Sequence, residues 1–578
     1  MPPIHPNQND RINSFNTSFK TLILNPSSKK TSSMKTLYAI MLWIVLFATI
    51  GNGQITETFT SSTTWTVPAG VTSITVKVWG AGGGGGYSKG SGGGGGNILM
   101  MILPFLFRYP KIVIPVILIG GAFYLFKGRC SGGGNSSQEQ RASFGTGATL
   151  DPAVYDSTDV YASLSPDEQL PERVSLERFA PTAGDQGQQG SCVGWGSTYA
   201  ARTILESVNT GQDPNQIVFS PAFTYNQIGL QDCQGTYIDR AVDLLTKDGA
   251  VAYAKFPYNE NSCSKQPDNY VLKEASQFKM KGANRLSISG DDYTCDVNAI
   301  RENLAHKAPV VIGMSVGESF MQDMEGQEFW QPNSNDYNKS GFGGHCMCII
   351  GYDDFYFDKD GAFLIQNSWG QKWGKNGRAW VSYKNFVAFA NEAYGLYPMP
   401  DKTSKDKLNC SLALVEKESK SYIPLVNKGN NIYSTTKPVK ISTKFKVEFK
   451  NNIECYIYIF GKEVDNGSYV LFPYTPKHSA YCGITGTRVF PRDQSMSPDE
   501  KGTKDYICVL ISKNQLDYKS LNEKFNSNKS QDFQTRINDF IKDDLISDIQ
   551  FKIDNKVNFE ANASSKNIVP IIIEINKY

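Results

Sequence analysis

The chain has 578 residues, 40% hydrophobic and 12% aromatic, enough material for three or four domains at roughly 100–200 residues each. Its 58 Lys and Arg residues balance 56 Asp and Glu, which excludes the basic excess of a nucleic-acid binder. Eleven cysteines are too sparse for a small disulfide scaffold, and an odd number leaves at least one unpaired.

Residues 1–54 form a mostly polar leader that contains "MKTLYAIMLWIVLFATIGNG" at 34–53. A lysine, an apolar run and small residues before Gln54 make a secretory-signal pattern. Residues 55–97 begin with strand-like alternation and end in two glycine runs. A second apolar region covers 98–129, and its uninterrupted part, 112–126, is shorter than the roughly 20 residues of a spanning helix. Tyr109 and Pro110 can extend it while Lys111 reaches the interface, so residues 98–126 are expected to anchor the chain in a membrane. Arg108 and Lys111 before the run and Lys127 and Arg129 after it favour neither orientation. A cleaved leader followed by one span would leave the folded part in the cytoplasm, which fits a secretory leader poorly. If the residues before the glycine runs are an aberrant joining, 98–126 becomes the first membrane segment, and the expectation is a folded part outside the cytoplasmic membrane, periplasmic or at the cell surface. Residues 130–169 are polar, rich in Ser and Gly at first, and predict a tether.

From 170 to 399 the pattern is mixed α and β. "DQGQQGSCVGWGSTYAAR" at 185–202 sets Cys192 behind a Gly-rich turn and ahead of a helical run. A helix N-terminus favours a thiolate, which is what a cysteine nucleophile needs. Gly194 and Gly196 each cost about 1 kcal/mol in a helix relative to Ala, which points to close packing there. A nucleophile needs a base, and the chain has four histidines. His5 lies in the leader, His306 ends a helix expected from the Asp296 cap, and His478 lies in a polar stretch farther on. His345 remains, in "GFGGHCMCIIGYDDF", behind two glycines and at a strand start. His345, Cys346 and Cys348 do not make a metal set, because residues 345 and 347 face one way along a strand and 346 and 348 the other. No metal and no cofactor is expected. Downstream, the strand 362–366 ends at Asn367, followed by Trp369 and Trp373 among glycines. Asn367 can orient an imidazole, and a Trp can shield that bond from water. Taken singly, a buried inert thiol, an edge-strand histidine and a glycine-rich hairpin with two core tryptophans account for the same stretches.

Residues 405–578 alternate with period two in "FKVEFK", "IECYIYIF" and "DYICVLIS", with an Asn466-Gly467 turn between strand-like runs. One amphipathic helix is expected over 533–549. This is a mostly β domain, read as a sandwich.

Together, Cys192, His345 and Asn367 stand in the chain order of the papain-like (C1) cysteine peptidases, and the region 170–399 resembles that family. Gln186, six residues before Cys192, matches the family's oxyanion-hole glutamine. "NSWG" and the Trp-Gly that follows match its Asn-to-Trp segment. "LPERVSLERFAP" resembles the start of its mature domain, and "DCQGTYIDRAVDLL" its cleft-lining segment. The resemblance implies an α+β fold of two lobes, one helical and one β. It implies hydrolysis of peptide bonds in a peptide or protein substrate, through a thiolate–imidazolium pair and an acyl-enzyme. Cys192, His345, Asn367 and Gln186 would be catalytic, and Gly235, Thr236 and Trp369 would contact substrate. The chain departs from the pattern in Val193, where the family has Trp. Thr236 stands for the second glycine of a pair and is expected to narrow a subsite. Gln189 replaces a cysteine whose partner by motif would be Cys233. The resemblance therefore implies a Cys233–Cys263 bridge, with Cys295 competing. No long helical inhibitory segment stands between 129 and Leu170. Residues 405–578 resemble a β domain of unknown function appended to bacterial proteases and kinases, and an unidentified partner is expected there. Two other classes fit the same chain: an inactive papain-like binding module on a membrane anchor, and a cell-wall amidase or transferase.

Overall fold

The computed structural model describes residues 144–356, 360–399, 406–429, 431–527 and 529–578. The expected leader at 1–54, Gly-rich segment at 55–97, anchor at 98–129 and the part of the tether up to 143 lie outside the described residues. Among the described residues no helix is long and apolar enough to cross a membrane.

A helical lobe comes first. Its central rod runs over 192–210, with a π-helical stretch, Trp195–Arg202, between α-helical ends. Helices Pro221–Ile228 and Ile238–Lys247 pack beside it. The rod ends at Gly211, whose left-handed φ of 73° suits a residue without a Cβ. The second lobe is a sheet of eight strands. Its central strand, Gly343–Asp353, is antiparallel to Val310–Val316 on one side and Ala362–Gln366 on the other. "CMCIIGY" is buried almost throughout because the sheet is covered on both faces, which explains a continuous apolar run in place of alternation. Helix Val297–Ala305 starts at Asp296, whose carboxylate accepts from Asn298 and Ala299, and ends at His306, as the sequence predicts.

Residues 406–578 form the predicted sandwich, a six-stranded and a seven-stranded sheet. Leu412, Phe449, Ile457, Val509 and Ile571 are among the side chains that fill the space between them. The Asn466-Gly467 turn connects Cys455–Lys462 to Ser468–Phe472, with Asn466 at φ 66°. The expected helix over 533–549 is shorter, Phe533–Ile541, and a second one, Tyr518–Ser527, accompanies it. Beyond Ile541 the chain turns to the sheet: Ile546 N–H donates to Ile568 O, and Ile549–Ile553 pairs as a strand. Strand hydrogen bonds thus replace helical ones where the apolar periodicity looked helical.

The composition of 130–169 predicts a tether, and the structure differs for its second half. Residues 144–150 run across the first domain, and 151–168 are wedged between that domain and the sandwich. Small residues let this stretch lie flat against backbone, and its amides find partners on both domains. A composition that favours a free linker also favours a closely packed strap.

Candidate active site

Cys192 opens the central rod and is fully buried, as is His345 at the start of the central strand. The rod approaches the sheet so closely that a Cβ on Gly196 would lie 2.8 Å from the Cys346 sulfur. The predicted close packing is therefore real, and glycine is what permits it. The Cys192 sulfur faces the backbone N–H of Cys346, the residue next to His345. Pairing of Cys348 with Gln366 brings Asn367, just past the strand end, back toward His345. Asn367 Oδ1 accepts from His345 Nε2 at 2.7 Å and from the Ser368 N–H at 2.7 Å. The Asn367 N–H in turn donates to Gly377 O. His345 Nδ1, the other ring nitrogen, is buried without a hydrogen-bond partner among the described residues. Trp369 stacks on the imidazole at 4.2 Å and 21°, so it covers the His345–Asn367 bond rather than standing apart from it.

Gln186 is held at both ends. Its Oε1 accepts from Ser368 Oγ at 2.7 Å, and its Nε2 donates to Gln189 O at 2.8 Å and Gly145 O at 3.1 Å. Ser368, and Tyr258 donating to Gln186 O, are supporting residues that the motifs did not single out. Gly235 and Thr236 lie on the opposite rim. Thr236 N–H donates to Gly147 O, and Thr236 O accepts from Thr149 N–H. The Thr236 hydroxyl turns away to Ile228 O at 2.7 Å, so its backbone, and not its side chain, faces the cleft. The bridge Cys233–Cys263 is present, and Cys295 is free and buried.

The cleft is occupied by residues 144–150. Phe144 stacks on Trp369 at 4.8 Å. Gly145 O accepts from Trp369 Nε1 as well as from Gln186. Gly147 and Ala148 N–H both donate to Gly344 O at 3.0 Å. A Cβ on Gly147 would lie 2.1 Å from Gly190 O, so this position accepts only glycine. The run "FGTGATL" carries a signal for such a contact in its lack of bulk. Burial under this segment pushes the Cys192 thiol up to about 11, although N–H groups of Cys346, Gly147, Val193 and Ala148 face the sulfur and pull the other way. Burial also lowers His345 to about 4, against the Asn367 bond that raises it. The pair is neutral in this closed arrangement. Burial in this arrangement works against the thiolate–imidazolium pair that the resemblance implies. Among the described residues no group of three His, Cys, Asp or Glu side chains could hold a metal ion.

The arrangement can carry nucleophilic attack by sulfur, proton transfer by an oriented imidazole, and stabilisation of an oxyanion by a side-chain amide. Comparison with known proteins finds similarity to cysteine proteases. The papain family cysteine protease family matches residues 173–396. A peptidase C1-like protein of Acanthamoeba polyphaga mimivirus is 26% identical over 38% of this chain and 70% of its own length. Cathepsin B-like CP2 of Giardia intestinalis is 26% identical over 38% of this chain and 69% of its own. Among solved structures, xylellain, a cysteine protease from Xylella fastidiosa, is 23% identical, with 45% of this chain and 98% of that one covered at a TM-score of 0.37. Over residues 173–396, then, the chain is similar to the papain family of cysteine proteases.

Proposed function

We propose that the chain hydrolyses peptide bonds through Cys192, His345, Asn367 and Gln186. The observation that carries the reading is the bond from His345 Nε2 to Asn367 Oδ1 beneath Trp369, beside a cysteine at a helix start. Once the cleft is open, His345 takes the Cys192 proton. The thiolate attacks a peptide carbonyl carbon, and the oxyanion is met by the Gln186 amide and the Cys192 N–H. His345 donates its proton to the leaving amine as the C–N bond breaks and a thioester remains. Water then gives a proton to His345, adds to the thioester, and the thiol is released with the carboxylate product. Backbone groups of Thr236 fit the role of holding an extended peptide, since they already pair with the segment in the cleft, and Gly235 stands beside it on the same loop. The complete set of side chains speaks against an inactive binding module, and the family match speaks against an amidase or transferase.

The test is hydrolysis of fluorogenic peptides by the full chain, with Cys192→Ala and His345→Ala compared at matched circular dichroism. Both variants are expected to lose turnover, and a thiol-reactive epoxide should label Cys192 in the parent chain. Turnover retained by Cys192→Ala overturns the mechanism. Residues 98–126 and the Cys233–Cys263 bridge support a membrane-held peptidase in an oxidising compartment. Digestion of the catalytic domain by protease added to intact spheroplasts is the expected result.

A further inference from the structure

The segment in the cleft occupies the groups that a substrate would use. N–H groups of Gly147 and Ala148 face the Cys192 sulfur. Gly145 O takes the Gln186 amide that an oxyanion would need. The segment is held there by the Phe144 stack and by backbone hydrogen bonds, against a high cost of ordering. Gly145 and Gly147 lose the most conformational freedom on ordering, and Ala148 offers only a methyl group.

A further hold lies in the next twenty residues, and much of that hold belongs to the sandwich. The Asp156 carboxylate is gripped by Arg285 of the peptidase at 2.8 Å and Lys477 of the sandwich at 3.0 Å. Val160 N–H donates to Lys477 O, and Val160 O accepts from Ser479 N–H. On the peptidase side, Tyr161 N–H donates to Arg285 O, and Leu164 N–H to Glu302 Oε2. Ala162 O accepts from Nε of Arg488, a fully buried sandwich residue whose other nitrogens bond Asn451 and Ile484 O. Ser165 N–H donates to Thr487 O. Residues 156–165 therefore bond both domains at once. Fixing that flank a few residues from Ala148 keeps residues 144–150 at high effective concentration over the cleft.

We propose that the C-terminal β domain is a clamp whose partner is the chain's own segment 156–165, and that through it residues 144–150 are kept as a strap over the peptidase cleft. The inference rests on the reading of Cys192 and His345 as the peptidase site, and it gives the sandwich a regulatory role. Opening needs displacement of the strap or hydrolysis of the strap by a peptidase, in which water adds across one peptide bond and the freed end leaves the cleft.

The experiment uses the full chain and two readouts, alkylation of Cys192 by iodoacetamide followed by peptide mapping, and hydrolysis of a fluorogenic peptide. Gly147→Leu cannot seat against Gly190 and is expected to raise both rates on the order of tenfold or more, because the competent fraction limits each of them. Lys477→Ala, which loosens the sandwich side, and Asp156→Ala, which also frees Arg285, leave residues 144–150 unchanged and are expected to raise both rates by less. Hydrogen exchange at residues 147–149 should quicken in the same two variants. Lys504→Ala, which removes an ion pair with Glu574 elsewhere in the sandwich, should change nothing. Alkylation of the parent chain at the rate of an unhindered thiol overturns the strap. Parent-like alkylation and exchange in Lys477→Ala and Asp156→Ala, with fast alkylation in Gly147→Leu, overturns the clamp. Fast alkylation without hydrolysis in Gly147→Leu upholds the closure and refutes the peptidase reading on which it rests.

Discussion

Gln186 shows how a single side chain is aimed. Ser368 Oγ fixes its carbonyl end and Gln189 O its amide end, so the amide has one free direction, toward Gly145 O. Gln186→Ala should cost about 2.7–4 kcal/mol of transition-state stabilisation, read as a fall in kcat with KM little changed. Asn367→Ala should be milder than His345→Ala, because Asn367 orients the ring and moves no proton. Equal losses in the two would point to collapse of the Trp369–His345 stack instead, and near-ultraviolet circular dichroism distinguishes these outcomes. Gly196→Ala sets a methyl 2.8 Å from the Cys346 sulfur. Overpacking of that kind costs roughly 1–3 kcal/mol, measurable by urea unfolding.

At the scale of elements, the loop bearing Gly235 and Thr236 is tied at both ends. Cys233 is joined to Cys263 across 30 residues, and Gly235 N–H donates to the Tyr225 hydroxyl. Opening a loop of that length by Cys263→Ser removes roughly 3–4 kcal/mol in the chain-entropy model. The expected result is a lowered thermal midpoint together with a raised KM, since the rim that pairs with a peptide would loosen. An unchanged KM would show that Tyr225 alone positions the rim. Helix Val297–Ala305 depends on its Asp296 cap, and Asp296→Ala should cost about 1 kcal/mol.

At the scale of the whole molecule, the two domains meet through buried charge. Burial raises Glu302 from its ordinary value of 4.5 to about 7, against the Leu164 N–H that lowers it. The folded state therefore favours the protonated acid more than the unfolded chain does. This contribution to stability is full below about pH 4.5 and is lost as the pH rises through about 7. Denaturation at pH 5 and pH 8 should show higher stability at pH 5 from this group, and Glu302→Gln, which still accepts from Leu164, should flatten the difference. A slope unchanged by Glu302→Gln would assign it to Glu392, which burial also raises to about 7.

The sequence by itself named the side chains that the fold brings together at the site. Cys192, His345, Asn367 and Gln186 stand in short motifs whose glycines and tryptophans leave few ways to fold, and four histidines in the chain left one candidate base. It also determined the strands of the sandwich, where period-two alternation reports a half-buried surface directly, and the resemblance of its motifs named the partner of Cys233. The tertiary structure decided the rest. Ser368 and Tyr258 support the site through bonds between residues far apart in the chain, which no local pattern encodes. Residues 533–549 share apolar spacing between helix and strand, and pairing at Ile568 decided where the helix stops. Above all, "FGTGATL" reads locally as a flexible tether. Only the rim at Thr236, the carbonyl of Gly344 and the Arg488 guanidinium beneath Ala162 make it a strap, because small residues state that backbone can come close and leave unstated to what.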